Sequence, residues 1–370
     1  MTETLKTVAI VGTVGLPPRY GGFETLADNL VRQAEDVAAP VAFEVYCSTA
    51  AYPERAAFHH GARLRYVPLR ANGLQSIAYD IWSLLAARLR GMDAVLLLGV
   101  SGAIALPFLR LGGGPRVIVN VDGLEWKRQK WNGLARWFLR LSERLAVRHS
   151  DVVVGDNQAI VDHLRDAYGC RAELIPYGGD HAGSPAAQPP ADEAEGTSGA
   201  IAPADYALML CRIEPENNID LILEAFAQNA AMRLVAVGNW EASDYGRALR
   251  RRHAGSANLD LRDPVFEPEQ LYRLRSGARA YVHGHSAGGT NPALVEMMWL
   301  GIPVLAFDCV YNRHTTEGAA AYFTDAADLR AKVATLGEPC WPANGAAMHA
   351  VAARRYRWAE IARQYLALMR

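Results

Sequence analysis

Twice along the chain, short β-branched and apolar runs alternate with longer amphipathic segments, an alternation that confines it to parallel sheets covered by helices on both faces. In the first half the runs are VAIVG (8–12), FEVYC (43–47), RLRYVPL (63–69), AVLLLG (94–99), VIVNV (117–121) and VVVG (152–155). In the second they are YALMLC (206–211), RLVAVG (233–238), LDLRD (259–263), RAYVHG (279–284) and PVLAF (303–307). The predicted class is α/β with two sheets, as suits 370 residues, too many for one ordinary core. Between the sets lies GGDHAGSPAAQPPADEAEGTSGAIAP, which has too little apolar surface to order itself. The expected organisation is a first domain over 1–180, a linker over 181–204, a second domain over 205–350, and a closing amphipathic helix over 351–370. That helix carries Tyr356, Ile361, Tyr365 and Leu366 at near-helical spacing and is expected to pack back on the first domain.

Charge and cysteine content narrow the function classes. Lys plus Arg (38) nearly balance Asp plus Glu (39), so nothing argues for a nucleic-acid partner. The five cysteines are single and lack paired metal spacing, as expected in a reducing compartment. The start MTETLKTVAIVG passes directly into a strand without a signal-like n-region, so a cytoplasmic protein is expected. Residues 127–149 set Lys127, Arg128, Lys130, Arg136, Arg140, Arg144 and Arg148 against Leu134, Trp137, Phe138, Leu141 and Leu145. Such a basic amphipathic helix suits an anionic membrane surface, and equally suits a domain helix with its apolar stripe in the core.

In open parallel sheets ligands meet the loops beyond the carboxyl ends of the strands. After the first strand, TVGLPPRYGGFETLADNL brings Gly21 and Gly22 to a helix start with Arg19 close by. Bare amides there would face a phosphate; the alternative is a loop entering a helix capped by its own Glu24. In HGHSAGGTNPALVEMMWLGIPVLAF, Gly288, Gly289, Thr290 and Asn291 are expected to leave a helix N-terminus open to an anion, and Glu296 to accept from a ribose hydroxyl. Taken alone, Glu296 reads first as a carboxylate on a solvated helix face. In CRIEPENN, Arg212 stands past a strand end, where a guanidinium can clamp a diphosphate.

Together YGGFETLADNL, DGLEWKRQKW and SAGGTNPALVEMMWLGIPVLA, in that order, resemble glycosyltransferase family 4, and within it the bacterial rhamnosyltransferase-like branch. The resemblance covers nearly the whole chain. It implies the GT-B architecture, two Rossmann-like domains with parallel sheets facing across a cleft. It also implies a retaining transfer from a dTDP- or UDP-sugar, L-rhamnose from dTDP-rhamnose being the specific expectation, to a lipid-linked saccharide in bacterial surface polysaccharide synthesis. Glu296 matches the family's ribose-holding glutamate, while Gly288 stands where a partner glutamate is usual. Arg212 matches the arginine that grips the pyrophosphate, and Asn217 takes the place of its lysine partner. Missing charge would come from backbone amides, Arg19 or a cation. Asp122, with Glu125 nearby, stands where many relatives place a histidine against the donor sugar, although Asp after a strand also caps helices. Val265 and Phe266 correspond to the segment that meets the nucleobase, and would serve as well in a core.

The implied chemistry is front-face attack, with the leaving diphosphate helping to deprotonate the acceptor. Asp122 and Arg212 are the catalytic candidates. No cofactor is required and no metal ligands are identified, since neither Asp-x-Asp nor a spaced His cluster occurs; a loosely held Mg2+ is compatible. Two rivals share the α/β dress: a nicotinamide-dependent oxidoreductase, whose G-x-G-x-x-G fingerprint the first loop lacks, and a catalytically silent nucleotide-sugar or glycan-binding subunit.

Overall fold

In a computed structural model the chain divides into one unit of Met1–Tyr177 with Trp358–Arg370 and another of Gly178–Arg357. The structure describes residues 5–19, 21–73, 75–121, 123, 124, 126, 132–183, 206–228, 232–336 and 339–370. The first unit runs β1 (Lys6–Val11), α1 (Gly22–Asp36), β2 (Val41–Ser48), β3 (Phe58–His59), β4 (Ala62–Val67), α2 (Gln75–Leu89), β5 (Ala94–Leu98), α3 (Leu106–Leu109), β6 (Arg116–Val121), α4 (Gly133–His149), β7 (Val152–Gly155), α5 (Gln158–Tyr168) and β8 (Glu173–Leu174). Its strand order is β3-β4-β2-β1-β5-β6-β7-β8, with β3 alone antiparallel to its neighbour. β1 lies at the centre, Val8 opposite Phe43 on one side and Ala94 on the other. The uninterrupted apolar reading of AVLLL follows from that position, since every residue of β5 is buried.

The second unit contains β9 (Tyr206–Leu210), α6 (Ile219–Ala227), β10 (Arg233–Val237), α7 (Asp244–Arg252), β11 (Leu259–Arg262), α8 (Pro268–Ser276), β12 (Ala280–His283), α9 (Pro292–Trp299), β13 (Val304–Phe307), α10 (Val310–Thr315), β14 (Ala321–Phe323), α11 (Ala326–Ala334) and α12 (Cys340–Arg355). All strands are parallel, in the order β11-β10-β9-β12-β13-β14. Phe226, Leu234, Trp240, Val282, Phe323 and Trp341 meet in its core. The order reverses between β9 and β12 here, and between β1 and β5 in the first unit, and such reversals open ligand crevices at the carboxyl ends of the strands.

Every strand read from the sequence is present within a residue or two. Those overlooked, β3, β8 and β14, are two or three residues long, too short for a periodic signal. The closing segment departs from expectation by forming two helices. α12 stops at Arg355 and α13 (Trp358–Leu368) follows, because Tyr356 leaves helical geometry (φ −119°, ψ 48°). Tyr356 is pinned in the second unit: its carbonyl accepts from Gly179 N–H at 2.8 Å and its hydroxyl donates to Thr315 O at 2.6 Å. α13 belongs to the first unit, where Ile361 and Tyr365 are buried and Asn120 Nδ2 donates to the Tyr365 hydroxyl at 2.7 Å. Of the expected linker, residues 184–204 lie outside the described residues, whereas Asp180–Gly183 form a 3-10 turn in the second unit.

Candidate functional site

At the crevice of the second unit the loops after β9, β12 and β13 are joined. Glu216 O accepts from both Ser286 N–H (3.0 Å) and Ser286 Oγ (2.8 Å), and Asn218 Nδ2 donates to Gly284 O at 2.8 Å. The fit leaves no room for a side chain at 284, where a Cβ would stand 2.0 Å from Asn217 O. From the β13 side, Asn312 Nδ2 donates to His285 O at 2.9 Å. Asn217, which the resemblance sets in place of a lysine, turns inward: it is buried and its Nδ2 donates to Arg212 O at 2.7 Å. Arg212 itself is exposed, and among the described residues no carboxylate pairs with its guanidinium, so it is available to an anion. Beneath the loop, His283 is buried and stacks on His285 with centroids 4.9 Å apart. Burial pushes the His283 pKa down to about 3, so it serves this site as a neutral imidazole.

The N-terminus of α9 is not open as expected. Pro292 has no N–H, Ala293 N–H is taken by Asn291 Oδ1 at 3.0 Å, and Leu294 and Val295 donate to Asn291 O at 3.1 and 3.2 Å. An anion here would meet the loop 288–290 rather than the first helical turn. Gly288, which the resemblance sets in place of a glutamate, has φ +132°, a region L side chains rarely adopt, and that is a backbone reason for glycine there.

Glu296 does not lie on a solvated face. It is 6% exposed, pairs with Arg275 from α8, and sets Oε1 3.0 Å from His181 Nε2. Burial pushes its carboxyl up, but the Arg275 charge and the His181 contact outweigh this, and the net shift is below the usual carboxylate range. Neither partner was foreseen: His181 falls in the expected linker, and Arg275 is one of several arginines on a polar helix. Val265 and Phe266 are not core, Phe266 being 65% exposed. A groove of about 580 Å³ beside Pro215 and Asn218 is lined by Asp220, Glu224 and Asp325 as well, which makes it inhospitable to a diphosphate.

In the first unit the loop after β1 is held by the helix it enters. Glu24 is 4% exposed, and its Oε1 accepts from Val14 N–H at 2.9 Å and Thr13 Oγ1 at 3.2 Å. Burial, against those hydrogen bonds, raises its pKa. A Cβ on Gly21 would lie 1.8 Å from Glu24 Oε2. Glu24 thus sits against Gly21 while its hydrogen bonds hold the loop at Thr13 and Val14; α1 has no side-chain N-cap, and a phosphate at Gly21 and Gly22 would have to approach that carboxylate. Arg19 rests its guanidinium over the Tyr52 ring, 4.9 Å from the centroid. Beside the loop after β5, Asp80 is 3% exposed and accepts from Ser101 Oγ at 2.5 Å, and burial pushes its pKa up to about 7. Asp122 and Glu125 lie outside the described residues, as do Lys127, Arg128 and Lys130.

α4 turns an unexpected face inward. Ser142, Glu143 and Ala146 are its buried residues, with Glu143 holding Trp126 Nε1 (3.1 Å), His163 Nε2 (3.0 Å) and the Tyr168 hydroxyl (2.8 Å). Of the apolar stripe, Leu134 and Trp137 are 76% and 61% exposed, whereas Phe138, Leu141 and Leu145 are half-buried, so the first turns of the stripe are outside the core. Among the described residues no helix is long and apolar enough to cross a membrane.

Residues 5–180 match a family described only as a domain of unknown function, DUF1972, and residues 195–336 match glycosyl transferases group 1. No curated protein matches the sequence. Sucrose-phosphate synthase from Thermosynechococcus elongatus is similar in structure, with TM-score 0.78 and 17% identity over 98% of each chain. So are the catalytic domain of starch synthase IV from Arabidopsis thaliana bound to ADP and acarbose (TM-score 0.73, 12% identity, 99% of each chain) and Anabaena HepE in complex with UDP-glucose (TM-score 0.70, 16% identity, 98% of each chain). At such identities the likeness shows the fold, the two Rossmann-like domains of GT-B. With the group 1 match it supports a glycosyltransferase of the GT-B type.

Proposed function

We propose that the chain is a retaining glycosyltransferase that carries L-rhamnose from dTDP-rhamnose to a lipid-linked saccharide in bacterial surface polysaccharide synthesis. The group 1 match over residues 195–336 supports the transferase reading, and rhamnose rests on the branch resemblance of GGTNP and PENN. The observation that carries the donor site is the joined pair of loops after β9 and β12, with the exposed Arg212, which no carboxylate among the described residues pairs, at its edge. In this reading the acceptor hydroxyl attacks the anomeric carbon as the bond to the diphosphate breaks, and the proton passes to the departing diphosphate. Arg212 and the amides of 288–290 stabilise the charge that develops there. Glu296 keeps lone pairs beyond those used by Arg275 and His181, and offers them to the ribose as a fixed, ionised acceptor. No cofactor enters the reaction as proposed; Mg2+ would only supplement Arg212 at the diphosphate.

A peripheral membrane position is the companion proposal. It is supported by exposed Leu134 and Trp137 on a helix bearing Arg136, Arg140, Arg144 and Arg148, and by Phe108 and Leu111 (both 64% exposed) at α3, which packs against α4. The deciding experiment titrates dTDP-rhamnose, UDP-glucose, UDP-N-acetylglucosamine, GDP-mannose and NADH by calorimetry and assays transfer to lipid-linked saccharides. The expected result is turnover of dTDP-rhamnose that falls with Arg212→Ala while folding is unchanged. Binding of NADH alone, or nucleotide-sugar binding without transfer, would hand the site to one of the two rivals.

A further inference from the structure

On the first unit, the turn between β3 and β4 brings two imidazoles to a carboxylate of α1. His59 Nε2 lies 2.6 Å from Asp28 Oδ1, and the His59 and His60 rings meet edge to face with centroids 4.5 Å apart. One ligand atom from each of Asp28, His59 and His60 falls within 4.8 Å of the other two. Glu35, seven residues after Asp28 and so on the same face of α1, places Oε2 3.3 Å from His60 Nδ1. The backbone adds an independent peculiarity. His60 (φ 44°) and Gly61 (φ 70°) form a two-residue turn with both positions left-handed, where Asn-Gly is the ordinary choice. The turn alone does not call for an imidazole.

We propose that Asp28, His59 and His60 bind a zinc ion, with Glu35 or water as fourth ligand. Imidazole with carboxylate is a donor set for zinc, whereas magnesium and calcium take oxygen alone. Tetrahedral zinc with bonds of about 2.0–2.1 Å spaces its ligand atoms about 3.3–3.5 Å apart, so the three close on an ion by side-chain rotation. Asp28 and His59 are already partly withdrawn from water, at 16% and 22% side-chain exposure. The turn precedes β4 and therefore sits at the amino end of the parallel strands, the end opposite the loops after β1 and β5. An ion there clips a two-residue edge strand to α1 and takes no part in transfer.

The test uses the full chain, stripped with a chelator and titrated with Zn2+ by calorimetry and with Co2+ by absorbance. The expected result is one ion per chain, visible Co2+ bands without the near-ultraviolet charge transfer of a thiolate, and a thermal midpoint several degrees higher with Zn2+. His60→Asn, whose side chain accepts the left-handed turn, should fold with an unchanged metal-free midpoint yet bind at least about tenfold more weakly, with Asp28→Asn also weakened. Equal Zn2+ binding by wild type and His60→Asn, a thiolate band assigning the ion to a cysteine, or no saturable binding would overturn the proposal.

Discussion

Two buried carboxyls with opposite pKa shifts show how environment divides one chemistry. Glu296 is held ionised beside Arg275 and His181, so truncating it leaves a buried guanidinium without its counter-charge. Glu296→Ala is expected to lower unfolding free energy by about 3–5 kcal/mol, read by urea denaturation, with the loss of donor binding measured separately at a temperature where the variant is folded. Asp80 is the reverse case, a carboxyl kept protonated by burial, its pKa about 7 against an ordinary 3.8. The neutral form is favoured in the folded chain, so its stabilisation is full below pH 4 and is lost as pH rises through 7. Asp80→Asn, which keeps an acceptor for Ser101, should therefore flatten the decline in thermal midpoint between pH 5 and 8; a decline as steep as the wild type's would remove Asp80 as its cause. Sequence pointed to Glu296 through its place in a block. It could not show Arg275, because the pair closes between two helices 21 residues apart, nor Asp80, which periodicity reads as one more helical residue.

Elements were legible where period and length were strong. The parallel strands were read almost to the residue because burial on both faces makes them continuously apolar. Helix faces were read less well. The heptad-like stripe of α4 looks like a core face, yet the small and polar Ser142, Glu143 and Ala146 point inward, since Glu143 brings three hydrogen-bond partners with it. Membrane association of that stripe predicts that Leu134→Glu with Trp137→Glu lowers co-sedimentation with phosphatidylserine vesicles while thermal stability stays within roughly 0.5 kcal/mol of wild type. A stripe serving only the fold would instead give a destabilised protein with unchanged sedimentation. At α9 the fault lay in chemistry rather than period: the glycines suggested an open helix start, but Asn291 caps it and Pro292 removes a donor.

At the scale of the whole molecule, α13 is the last segment of the chain and yet belongs to the first unit. It buries Trp358, Ile361 and Tyr365 there, and Arg116 Nε donates to Leu368 O at 2.8 Å. Deleting residues 358–370 is expected to expose the first unit to protease and lower its urea midpoint, whereas Tyr365→Phe, losing only the hydroxyl that Asn120 meets, should cost about 1 kcal/mol. If the deletion leaves proteolysis unchanged, the burial seen for α13 contributes nothing to that unit's stability. The sequence by itself determined the α/β class, the two sheets, the loops that carry Arg212 and Gly288 and the helix that carries Glu296, because strand burial and glycine placement are local and written in period and composition. Only the tertiary structure decided that Glu296 meets Arg275 and His181, that Tyr356 splits the closing helix and that Asp28 meets His59 and His60. Each of these depends on residues distant in sequence finding one another in space, and no local pattern records such a meeting.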